Sequence, residues 1–227
     1  MAFGHVQGTA VSSTVGATTR TLTLGAAPTL GNIVVAVFQI QPTTITGFGI
    51  KDGNSNVYTL TPKSPFTTTN PAITQFFAYI SPAPSNATAA VTATWTGTST
   101  YFNFWLEEFS VPLGQMAIFD ADFTANNTAG ATAINTPTVT PSGIQGELLY
   151  GAVAPGGTVT APVGGGTAGV WTGAAGGIVG GNMAEYDLSA TAGQAVNFTQ
   201  NAADSYNSMG MAFYLLSHNL AISGSGA

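Results

Sequence analysis

The ionisable side chains of this 227-residue chain are few: nine carboxylates, three cations and two histidines, with no cysteine. One grouping has the spacing of a metal loop. Asp52, Asn54 and Asn56 stand at alternate positions, as ligands do at the start of a calcium-binding loop. The pattern then fails, because Val57 stands where such a loop needs glycine and Lys63 where it needs a bidentate glutamate. Asp52 to Asn56 therefore reads as a turn, made of residues that tolerate left-handed backbone and bond their own main chain.

Glu107 and Glu108 invite comparison with the paired carboxylates of a glycosidase. Adjacent residues on a strand point to opposite faces, so these two cannot flank one substrate and read as rim or interface carboxylates. A Ser-His-acid triad would have to use His5 or His218, both in segments expected to fray. The glycine run at 164–166 has no Lys-Ser/Thr after it and reads as surface loop, not phosphate cradle. Trp95 and Trp105 lie in apolar runs and are expected in the core, whereas Trp171 sits in a Gly-rich stretch and is the candidate for stacking on a sugar ring. The sequons at Asn86, Asn126 and Asn197 are expected by chance in a Thr-rich chain. No catalytic, cofactor-binding or metal-binding residue is assigned, and no cofactor is expected.

Composition narrows the partners. Charged residues are 5% of the chain and hydrophobic ones 44%, so Thr, Ser, Asn, Gln and Gly must supply most of the polar surface. With Arg20, Lys51 and Lys63 the only cations in a chain of net charge −6, neither nucleic acid nor anionic membrane is an expected partner. No apolar run is long enough for a membrane helix, and the start of the sequence lacks the basic and apolar regions of a secretory signal. Synthesis in a cytoplasm followed by assembly into an exterior-facing particle fits both features.

The elements that must position these residues are strands. Ile33 to Ile40 is apolar at both alternations, with Ile33, Val35 and Val37 on one face and Val34, Ala36, Phe38 and Ile40 on the other. Phe102 to Val111, Leu148 to Val153 and Met209 to Leu216 share this two-sided pattern. About fourteen strand-like runs can be counted and no helix longer than a turn. The two halves also resemble each other in order: Gly31-Asn-Ile-Val-Val-Ala-Val with Gly146-Glu-Leu-Leu-Tyr-Gly-Ala-Val, Phe77-Ala-Tyr-Ile with Ala184-Glu-Tyr-Asp-Leu, and the run from Tyr101 with that from Ser208. The offset is roughly 105 to 115 positions, which reads as a weak internal duplication. The expected fold is all-β, an antiparallel jelly-roll-like β-sandwich. It forms a single domain over residues 1–218, with halves at about 20–112 and 118–217 interleaving in one sandwich, and a flexible tail at 219–227.

The succession of Gly31-Asn-Ile-Val-Val-Ala-Val, the turn Asp52-Gly-Asn-Ser-Asn-Val-Tyr58, Phe77-Ala-Tyr79 and Val91-Thr-Ala-Thr-Trp95 resembles a β-sandwich domain of bacterial surface proteins and phage virion proteins. The resemblance covers about residues 30 to 217 and consists of strand patterns and one turn. It implies a jelly-roll-like fold and a structural or binding role, and it carries over no catalytic residue.

In a two-layer sandwich the outer face of each sheet meets water, so four strands with apolar outer faces would expose more than the few hundred Å² a monomer tolerates. The expectation is a non-enzymatic subunit of a multimeric exterior assembly, a phage decoration or minor capsid protein. Its partners would be copies of itself and other virion subunits, reached in part through the first ten residues and the tail. The alternative is a carbohydrate- or receptor-binding module, with a glycan as partner through Trp171.

Overall fold

The structure, a computed structural model, describes residues 2–13, 15–41, 44–69, 72–99, 101–135, 147–155, 159–163, 172–173, 183–190 and 197–217. Among them the secondary structure is strand, with no helix. The first half carries β1 (Gly4–Ser13), β2 (Ala17–Thr23), β3 (Ile33–Gln41), β4 (Thr46–Asp52), β5 (Thr59–Leu60), β6 (Phe66–Thr69), β7 (Ala72–Ile80), β8 (Ala90–Ser99) and β9 (Tyr101–Ser110). The second half carries β10 (Gln115–Asn135), β11 (Glu147–Pro155), β12 (Val159–Val163), β13 (Thr172–Gly173), β14 (Met183–Ala190) and β15 (Asn197–Ser217).

All pairings are antiparallel, and the chain is an all-β sandwich. Sheet A runs β1-β9-β3-β7-β5 with β6 also on β7, and sheet B runs β2-β8-β4. Sheet C runs β10-β15-β11-β14-β13, with β12 also on β15. Sheets A and B come wholly from the first half and sheet C wholly from the second, so the described strands of the two halves do not interleave.

The apolar alternation of β3 explains the layering. Ile33, Val35 and Val37 join Trp105 and Phe109 of β9 in a core shared with Leu148, Tyr150, Met209, Met211 and Phe213 of sheet C. Val34, Ala36, Phe38 and Ile40 join Phe102, Phe104 and Leu106 in a second core, shared with Leu22, Ile50, Val91, Ala93 and Trp95 of sheet B. Sheet A is thus an inner layer, dry on both faces, and every residue from Ile33 to Ile40 is buried. The apolar outer faces expected to need other subunits are covered here by the chain itself.

Sheet C is built the same way. The far end of β10 and the near end of β15 continue past a bulge at Asn127/Ala131 and pair with each other, and β12 pairs with this part of β15. Ile134 and Phe198 on this extension pack with Leu149, Val153 and Ala212, which point away from sheet A. Phe123 lies so close to Gly210 that a Cβ there would meet its ring at 2.3 Å, which is why β15 carries glycine at that point. Trp95 and Trp105 are core residues, as their apolar runs implied.

Because Phe104 and Trp105 are neighbours on β9 that face opposite cores, Phe104→Ala and Trp105→Ala should each destabilise the protein by about 3–5 kcal/mol. Denaturant unfolding of the two variants checks this. An uncovered face would make one of them nearly silent.

Candidate functional site

The turn after β4 shows what Asp52 does. Its Oδ1 accepts the main-chain N–H groups of Asn54 and Asn56, both at 2.9 Å, and its Oδ2 accepts Asn56 Nδ2 and Thr88 N, both at 2.8 Å. Both oxygens are therefore taken up by N–H donors, and Ser55 takes the left-handed conformation at φ 65° that closes the turn. Burial works to raise the Asp52 carboxyl, but the hydrogen bonds from Asn56, Thr88 and Asn54 outweigh it and hold the carboxyl below its ordinary range.

The adjacent glutamates face opposite ways, as strand alternation requires, and both are fully buried, not at a rim. Glu108 accepts from Gln7 Nε2 at 2.5 Å, Thr29 N at 2.8 Å and Asn32 Nδ2 at 2.6 Å, so it ties β1 and the loop before β3 to β9. Glu107 points between sheets A and C. Its Oε2 lies 2.6 Å from His5 Nε2, across 102 residues of chain.

Among the described residues, this His–carboxylate pair is the constellation with chemical potential that the sequence does not announce. The cause is a β-bulge between His5 and Gln7, which moves the register from His5↔Phe109 to Gly8↔Glu107. Residues 5 and 8 then lie on one face, where plain alternation would put 5 with 7. The bulged residue, Val6, is left exposed. Gly8 gives the carboxylate its room, since a Cβ there would stand 1.8 Å from Glu107 Oε2. A glycine opposite a glutamate was the only trace of the site in the sequence.

Two rings of the second half complete the surroundings. Tyr186 stacks on His5 at 5.0 Å between centroids, and Phe109 meets both rings edge-on. Tyr150 is fully buried beside them. Burial first, and then the Glu107 carboxylate, push its phenol well above the ordinary value, so it stays protonated. The arrangement can hold or pass a proton. For nucleophilic catalysis it would also need a hydroxyl on the imidazole, and among the described residues Glu107 is the one hydrogen-bond partner His5 has.

Farther along the same interface a buried amide chain crosses between the halves. Gln39 Nε2 donates to Gln75 Oε1 at 2.8 Å, Gln75 Nε2 donates to Asn207 Oδ1, and Asn207 Nδ2 donates to Thr68 Oγ1 at 2.9 Å. On the opposite side of sheet A, Ile45, Phe48, Leu60, Pro65 and Phe76 line a shallow apolar cleft of about 170 Å³, with Phe48 and Phe76 stacked at 3.8 Å. Trp171, His218, the glycine run at 164–166 and the tail at 219–227 lie outside the described residues.

No protein-family model and no curated protein matches this chain.

Two outcomes follow. With its folded-state pKa the lower one, ionised Asp52 stabilises the fold above the unfolded carboxyl's value of about 3.9, and that contribution is lost as pH falls through the folded value. Asp52→Ala should cost about 3 kcal/mol at neutral pH and flatten the acid limb of a stability–pH profile. Gly8→Ala should displace the Glu107 carboxylate and cost about 3 kcal/mol, read by thermal unfolding together with a shifted His5 ring resonance in NMR.

Proposed function

We propose that this chain is a non-catalytic structural protein of a multimeric exterior assembly, most concretely a decoration or minor capsid protein of a phage virion. The observation that carries the reading is the outer face of sheet B. Leu22, Val91, Ala93 and Trp95 turn inward, and the alternate positions Thr19, Thr21, Thr23, Thr94 and Thr96 turn outward and are exposed. Thr19 stands opposite Thr94, and Thr21 opposite Thr92, whose hydroxyls are 2.7 Å apart. Apart from Lys51 on β4, this face offers methyl and hydroxyl groups in register.

Such a surface can be covered by a neighbour without stripping water from charges, and its hydroxyls can bond across the contact. The buried carboxylates support the same reading, because Asp52 and Glu108 serve backbone and amide donors that fix turns and edges. Since the chain covers its own large apolar faces, attachment falls to this polar face, whose one charge is Lys51, and the free protein is expected to be monomeric by light scattering.

Proteomic analysis of purified particles from the source tests the proposal. The chain should be present in fixed ratio to the shell protein, and Thr21→Lys/Thr94→Lys should fold normally yet lose at least about tenfold in incorporation. Absence of the chain from the particles overturns the reading.

A further inference from the structure

Sheet B is narrower than the sheet it covers. Its strands lie over the apolar outer face of sheet A, where Trp95 of β8 packs on Phe38 of β3, and Phe48 of β4 on Phe76 of β7. β4 is the last strand of sheet B on that side, whereas sheet A continues past β7 into β5 and β6. The cleft of about 170 Å³ opens at this step, between Ile45 to Phe48 along the edge of β4 and Leu60, Pro65 and Phe76 beneath it.

The chain itself begins a further strand on β4 and then abandons it. Lys51 forms an antiparallel bridge with Val57, flanked by Asp52 N donating to Asn56 O and Tyr58 N donating to Ile50 O, both at 3.0 Å. At Tyr58 the backbone leaves sheet B, and Thr59 and Leu60 pair instead with Tyr79 and Ala78 of β7. Asp52 and Ile50 thus turn their main-chain groups away from β8, and by alternation Phe48, next in this series, does the same. Among the described residues, none pairs with Phe48 on that side. The bulge between Thr46 and Gly49, with Gly47 at φ 60°, bends the edge just beyond, so the place suits a short strand.

Edge and cleft ask for one kind of occupant. An unpaired N–H and C=O on a strand edge are met by extended backbone. A strand laid there continues the line of Asn56 to Tyr58 and turns alternate side chains down between the sheets, onto Leu60, Pro65 and Phe76. The cleft has the size for one of them, since an apolar cavity of about 150 Å³ holds a benzene ring. Its walls are aliphatic and aromatic apart from Thr46 and Gly47, and no ionisable side chain lines it.

We propose that the free edge of β4 is a strand-addition site, which takes a short extended segment of a second protein and seats one aromatic side chain of it in the cleft. Main-chain pairing at Phe48 supplies the direction of the segment, and the cleft selects the side chain. Under the structural role proposed above the segment belongs to a neighbouring subunit, and that assignment alone rests on that reading.

Backbone NMR of the intact chain tests the site with a defined probe, a short peptide of alternating threonine and valine with one central phenylalanine, set against the same peptide with alanine at the centre. The phenylalanine peptide should shift the amide resonances of Phe48 and Leu60 saturably and slow exchange of the Phe48 N–H at least about fivefold. The alanine peptide should bind at least about tenfold more weakly. Leu60→Trp, which fills the cleft and leaves β4 in place, should abolish both effects in a chain whose spectrum shows it folded. No saturable shift at Phe48, or equal binding of the two peptides, overturns the proposal without recourse to the variant, as does undiminished binding by folded Leu60→Trp. The structural role is judged separately, by the composition of the particles.

Discussion

The structure depends on one constraint: the strands at the centre of sheets A and C are apolar on both faces and must be covered on both. A two-layer sandwich cannot do this. The chain meets the requirement by placing the inner faces of two similarly connected halves against each other and closing each outer face with a shorter layer, sheet B in one half and the extension of β10 and β15 in the other. A face that one half would leave bare becomes the core that joins the two.

Several polar groups inside so dry an interior are bonded to fixed donors, and the edges show how. Asp52 gathers three N–H groups of its own turn and that of Thr88 from the loop before β8, and Glu108 gathers three donors from β1 and the loop before β3. The Gln39–Gln75–Asn207–Thr68 chain crosses between sheets A and C, where an offset of one residue would break each link. The His5–Glu107 contact ties β1 to β9 in the same way, across 102 residues of chain.

Internal covering changes the basis of the assembly reading. Two-sided strands alone point to outside partners, but the partner of each half turns out to be the other half. What recommends an exterior structural role is the surface that remains: a sheet of threonines in register, few charges, and carboxylates committed to fixing backbone. In the role we propose, attachment through such a face would be selective by geometry and hydroxyl pairing, not by area.

Strand content, the absence of helix among the described residues, the turn at Asp52, the burial of Trp95 and Trp105 and the opposed directions of Glu107 and Glu108 were legible in the sequence, because each follows from alternation or local turn chemistry over a few residues. Two things were not. The pattern of β3 says that both its faces are dry but not what dries them, since that depends on which distant sheet packs there. The meeting of His5 with Glu107 depends on a register set between strands 102 residues apart and on a bulge that shifts it by one. Local sequence determines which side chains share a face. Only the tertiary structure decides which faces meet, because pairing and packing are settled by contacts that no stretch of sequence contains.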